Sequence, residues 1–81
     1  MALLVEKSSL KTVEKAVRIL QEFSHDRPEI SVSELSRALG IHKSIVSRLV
    51  STLCRSSLLH QDPETRKIRI GVGAFRLGSI Y

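Results

Sequence analysis

The stretch Val32 to Ser51, VSELSRALGIHKSIVSRLVS, constrains this chain more than any other. Leu35 and Leu39 stand one helical turn apart and line one face of a short helix. Gly40 follows the last apolar residue, where a left-handed C-terminal cap calls for a residue without Cβ. Ile41 supplies an apolar plug for the turn, and Val46, Leu49, Val50 and Leu53 line the inner face of a following helix. Upstream, Ser31-Val32-Ser33-Glu34 has the form of a capping box. The Ser31 hydroxyl can accept from the Glu34 amide while the Glu34 carboxylate reaches back to Ser31. The apolar positions, the cap and the glycine must all fall correctly, so the pattern predicts two helices joined by a tight turn, the first from about Val32 to Leu39.

The outward face of the following helix carries the functional signal. At about 100° per residue, Ser44, Ser47, Arg48, Ser51 and Arg55 fall within an arc of roughly 100°, opposite the apolar arc. A solvated face is the plainest alternative, but such faces usually mix Glu with Lys, and Lys43 to Arg55 contains no acid. Small hydroxyl side chains permit close approach to a groove wall, and both Ser and Arg donate to phosphate oxygens or base edges. His42, just before this helix, could cap it or touch phosphate or base. Lys43 at the helix start opposes the helix dipole, which an anionic ligand would offset.

Charge is distributed to match. Residues 1–34 carry five basic and six acidic side chains, net −1, whereas residues 35–81 carry eight basic and two acidic, net +6. A one-sided basic surface implies a polyanionic partner. Nucleic acid fits better than membrane, because no helix combines a broad Lys/Arg face with bulky aromatics. Eighty-one residues make one small domain with a modest core. Cys54 is the only cysteine, so no internal disulfide forms, which suits a reducing cytoplasm. Its place beside Leu53 suggests a small, partly buried filler. MALLVEKSS has too short an apolar run for a signal peptide or a membrane span. His25, His42, His60 and Cys54 lack metal-ligand spacing, and no phosphate loop or nucleophile motif occurs, so an enzyme is not expected.

Residues 1–8 read as a flexible N-terminal arm. Leu10, Val13, Ala16, Val17, Leu20 and Phe23 recur at helical spacing and predict a helix from about Ser9 to Ser24, with Ser9 or Thr12 as its cap. Arg27-Pro28 breaks it, and Ile30 to Val32 could bridge to a later hairpin. After Ser56-Ser57 the period becomes alternating. Leu58 to Gln61 and Lys67 to Ile70 read as strands, with Asp62-Pro63-Glu64-Thr65-Arg66 as the turn. Ile68 and Ile70 share one face, and Arg66, Lys67 and Arg69 give the hairpin a basic edge. Gly71-Val72-Gly73 turns the chain into a helix beginning at Ala74. Its Phe75, Leu77, Ile80 and Tyr81 either complete the core against the first helix or pack on a partner. The fold class is thus mainly α with a small β-hairpin: a winged helix-turn-helix of three helices plus a wing. The domain spans residues 9–71, the helix-turn-helix residues 32–51 and the wing residues 58–70.

Several short pieces together carry a family resemblance. They are Ser9-Leu10, Ala16-Val17-Arg18-Ile19-Leu20, Ser33-Glu34-Leu35-Ser36, Leu39-Gly40-Ile41, Lys43-Ser44, Arg48-Leu49, Asp62-Pro63-Glu64-Thr65, Ile70-Gly71 and Leu77-Gly78. With these the chain resembles, from about Ser9 to Tyr81, the amino-terminal domain of the IclR family of bacterial transcription regulators. The resemblance implies a homodimer on a pseudo-palindromic operator in double-stranded DNA, within the bacterial cytoplasm at the nucleoid. It also implies a larger carboxy-terminal domain that binds a small-molecule effector, with residues 72–81 starting the linker helix to it. No cofactor is expected in the amino-terminal domain. Lys43, Ser44, Ser47 and Arg48 match family positions that face DNA. Ile45 stands where the family favours Ser or Thr, and Arg66 where a turn Gly is common. The expected DNA-binding set is His42, Lys43, Ser44, Ser47, Arg48, Ser51, Arg66, Lys67 and Arg69. Phe75, Leu77, Ile80 and Tyr81 are the expected dimer or linker contacts. The rival reading is a winged-helix module that binds protein or RNA.

Overall fold

The structure is a computed structural model that describes residues 2–81, with side chains from Leu10 onward. The order is α1 (Ala2–Gln21), α2 (Val32–Leu39), α3 (Lys43–Arg55), β1 (Leu59–Gln61), β2 (Ile68–Ile70) and α4 (Val72–Ser79). The helix-turn-helix forms as its local signals require. Ser31 Oγ accepts from Glu34 N at 3.1 Å and Ser31 N donates to Glu34 Oε1 at 2.9 Å, so both halves of the capping box are made. Gly40 closes α2 in the left-handed region at φ 66°, and its N–H donates to Ser36 O at 2.9 Å. The Ser36 hydroxyl then donates to Ile41 O at 2.6 Å, which fixes the turn that aims α3.

α3 turns Val46, Val50 and Leu53 into the core, where they meet Leu35 of α2, Ile41 of the turn, Ile19 of α1 and Leu59 and Ile68 of the hairpin. The strands pair antiparallel with Leu59 opposite Ile70, His60 opposite Arg69 and Gln61 opposite Ile68. Ile30 adds a bridge to Ile68, with both backbone bonds at 2.9 Å, so the segment before α2 is sewn to the hairpin as anticipated. Ile68 is fully buried but Ile70, on the same face, is exposed, although its cross-strand partner Leu59 is buried. Cys54 is half-buried against the core, and burial pushes its thiol pKa up.

Three helix boundaries differ from expectation, and each strand starts one residue later than expected. The arm expected at residues 1–8 is helical from Ala2, and α1 passes straight through Ser9 and Thr12 without using either as a cap; Met1 lies outside the described residues. Ala, Leu, Glu and Lys in this stretch favour a helix, and no Pro or Gly interrupts it. α1 also stops at Gln21, three residues before the expected end. The last helix begins at Val72 instead of Ala74. Gly71 N donates to Leu58 O at 2.9 Å and Gly73 N to Ser57 O at 2.8 Å, so the two glycines press the start of α4 onto the turn that follows α3. A Cβ at Gly73 would lie 2.8 Å from Ser57 O, and one at Gly71 closer still, so neither position has room for a side chain.

The inner face of α1 is also corrected. Ile19, absent from the expected stripe, is fully buried, with Ala16, Leu20 and Phe23 packed around it. Leu10, Val13 and Val17 are exposed at 64%, 58% and 43%. On a helical wheel these three lie on an arc adjoining the core face, so α1 bears two neighbouring apolar stripes and the core covers only one.

Candidate nucleic-acid interface

α3 presents Ser44, Ser47, Arg48 and Ser51 to solvent together with Lys43 at its start and His42 as its cap. Ile45, between them, is also exposed, an apolar spot on an otherwise polar face. Thr52 and Arg55 are tied along the helix: Thr52 Oγ1 donates to Arg48 O at 3.1 Å and Arg55 Nη2 donates to Thr52 Oγ1 at 3.3 Å. His42 caps the helix by accepting the Ser44 N–H on its ring at 3.2 Å.

The wing is brought to this face at its tip. Asp62 Oδ1 accepts from Glu64 N at 2.8 Å and Thr65 N at 3.0 Å, and Arg66 N donates to Asp62 O at 2.8 Å. Hydrogen bonds from Thr65 N, then Glu64 N, hold the Asp62 carboxyl pKa below its ordinary value. Arg66 adopts φ 65°, the left-handed geometry for which a glycine is common, and still presents its long cation. An open groove of about 290 Å³ is lined by Ser31, Val32 and Ser33 at the start of α2, Ser47 of α3, and Gln61, Thr65 and Arg66 of the wing. Three elements thus meet around one hydroxyl-rich, basic notch. Ser31, Ser33, Gln61 and Thr65 were not expected there. The only sequence signal was that α2's capped end and the wing turn both flank α3.

The cations divide into two groups. Lys43, Arg48, Arg66 and Lys67 hold no hydrogen bond or ion pair through their side chains among the described residues. Arg27 faces Glu22 at 3.8 Å and Glu34 at 3.7 Å, Arg18 donates to Leu39 O at 2.9 Å, and Arg69 faces Glu29 at 3.5 Å. The Glu34 pKa is lowered, first by the Ser31 backbone bond, then by the Ser31 hydroxyl, with Arg27 and Lys67 adding smaller attractions. Arg69 is not brought to α3. It lines a separate depression of about 580 Å³ with Phe23, Ser24, His25, Pro28 and Ile70. Phe75, Leu77, Ile80 and Tyr81 are all exposed and α4 buries none of its residues, so they do not fold back to finish the core. No helix is long and apolar enough to cross a membrane among the described residues.

This arrangement has close parallels. The chain is 33% identical over 76 residues to the HTH-type transcriptional regulator XynR of Escherichia coli, a match covering 88% of the chain and 30% of that protein. It is 32% identical over 71 residues to the HTH-type transcriptional repressor AllR of Klebsiella pneumoniae, covering 88% of the chain and 26% of the relative. The chain therefore spans less than a third of the length of these relatives. Among solved structures, an ICLR transcriptional regulator from Silicibacter superposes with a TM-score of 0.80 at 38% identity, over 85% of this chain and 27% of that one. An IclR family regulator from Brucella abortus gives 0.82 at 27% identity, over 86% and 27%. The model of the IclR helix-turn-helix domain matches residues 12–63, from the first turns of described side chains in α1 to the wing turn. With the capped α2, the Gly40 turn, α3 and the first strand of the wing all in place over that span, the chain belongs to the IclR helix-turn-helix domain family.

Proposed function

We propose that this chain is the sequence-reading domain of a transcription regulator, with α3 in the major groove of duplex DNA and the wing on the flanking backbone. One observation carries the reading: the acid-free outer face of α3 keeps Lys43 and Arg48 unpaired, while the left-handed wing tip sets a further unpaired cation, Arg66, in one groove with Ser47. Arg48, mid-face, is placed to reach guanine O6 and N7 or a phosphate; Ser47 and Ser51 allow the helix to approach closely. The start of α2, Arg66 and Lys67 take phosphates, and Arg69, held by Glu29, contributes less than its neighbours.

A single reading helix touches too few base pairs to pick a site among many competitors, so two copies on a pseudo-palindromic operator complete the reading. Phe75, Leu77, Ile80 and Tyr81 are the proposed dimer or linker contacts, and a further domain that takes a small effector completes the regulator. The relatives named as transcriptional regulators and repressors are consistent with this role. Selection of bound sites from random duplexes tests it. Recovery of one preferred sequence that outcompetes duplex RNA of the same sequence is the expected result. Equal binding to both duplexes, or no preferred sequence, would favour a protein- or RNA-binding module instead.

A further inference from the structure

We propose that His42 donates to DNA through its Nε2–H, and that Ser44 acts on DNA only through His42; the assignment rests on the DNA-binding reading above. The Ser44 backbone N–H lies 3.2 Å from His42 Nδ1. A backbone N–H can only donate, so Nδ1 is the ring nitrogen that carries a lone pair and no proton. The proton of the neutral imidazole is therefore on Nε2. The Ser44 hydroxyl lies 2.9 Å from the same Nδ1, and against an unprotonated nitrogen it too must be the donor. Two donors pin one edge of the ring, and the opposite edge holds an N–H in a fixed direction.

That N–H has no acceptor among the described residues, and His42 is exposed. It stands at the leading end of α3 beside the unpaired Lys43. A directed donor at this place suits an oxygen or nitrogen acceptor of DNA, either a phosphate oxygen or the N7/O6 edge of guanine. An ordinary cap such as Ser or Asn would satisfy the Ser44 amide equally well. Histidine adds reach and a second, oriented donor. The hydroxyl of Ser44 is already committed to the ring, which makes Ser44 a positioning residue.

The test uses the intact chain and a duplex it selects. His42→Ser keeps the cap but removes the outward donor. It should leave thermal melting unchanged and weaken binding about three- to tenfold, the range for one neutral hydrogen bond. Ser44→Ala should weaken binding less, and should cost nothing further in the His42→Ser background. A loss confined to the selected sequence identifies a base acceptor and a loss shared by all sequences a phosphate; both support the assignment. Nitrogen-detected NMR of the His42 ring, which does not depend on the variants folding, should show Nδ1 unprotonated, with the Nε2–H signal moving when duplex is added. Wild-type affinity in His42→Ser, the opposite tautomer, or an equal cost of Ser44→Ala in both backgrounds would overturn it. A wild-type chain that selects no duplex would instead overturn the underlying DNA reading while leaving the tautomer result standing.

Discussion

Among the described residues three occupy the left-handed region, two where a helix ends and one at the wing tip. Gly40, at φ 66°, closes α2 and has open space where a Cβ would go, so any substitution there costs backbone strain alone. Ser57, at φ 63°, ends α3: its N–H donates to Cys54 O and that of Leu58 to Leu53 O, both at 3.0 Å, the double bond of a Schellman cap usually made by glycine. Gly40→Ala should therefore destabilise the domain by about 1–2 kcal/mol, and Ser57→Gly should stabilise it by about 1 kcal/mol, in denaturant unfolding. Opposite signs at two sites of equal geometry are the expected result. The third residue, Arg66, accepts the strain while carrying its cation to α3. Asp62 beneath it has a depressed pKa in the folded chain, so its contribution is fully present above the ordinary aspartate value of about 3.9 and is lost as pH falls through the lowered one. The Glu64 and Thr65 amide signals should hold still from neutral pH to about 4 and move together only below it; a midpoint at higher pH would contradict the Asp62 turn.

At the scale of elements, the wing separates two kinds of cation. Arg66 and Lys67 are unpaired and Arg69 is engaged by Glu29, so neutralising the first two should flatten the salt dependence of DNA binding by about 0.9 for each lost phosphate contact. Arg69→Ala should change the slope less, and the loss should be alike on all sequences; a changed sequence preference would mean that the wing reads bases. How much of this was legible follows from how local each signal is. The capping box, the Gly40 turn and the inner face of α3 rest on residues a few positions apart, and all could be read from the chain. The start of α1 could not, because Ser9 and Thr12 offer cap chemistry inside a run that nothing breaks. Ile19 was hidden by a second apolar stripe, and the left-handed turn at Ser57 by the absence of glycine. Arg69 looked equivalent to Lys67 because Glu29, its partner, comes from a segment forty residues earlier in the chain.

At the scale of the whole molecule, the longer exposed apolar stretches among the described residues are the Leu10, Val13 and Val17 stripe of α1, and α4 with the residues that follow it. On the proposed reading α4 and the residues that follow it hold two copies about 34 Å apart along one face of the duplex. The chain should then pair weakly in solution and more strongly on a full operator, since a helix as short as α4 buries little area. Sedimentation with full-site and half-site duplexes should show cooperative filling of the full site that Phe75→Ser and Ile80→Ser abolish. Independent filling, unchanged in those variants, would remove α4 from the contact. The central claim, that α3 reads DNA, is tested most directly at Arg48. Titration of the selected duplex should give a loss of about 1–3 kcal/mol for Arg48→Ala, a smaller loss on a scrambled duplex, and an unchanged melting temperature. Unchanged affinity for the selected duplex in a folded Arg48→Ala chain would contradict the claim.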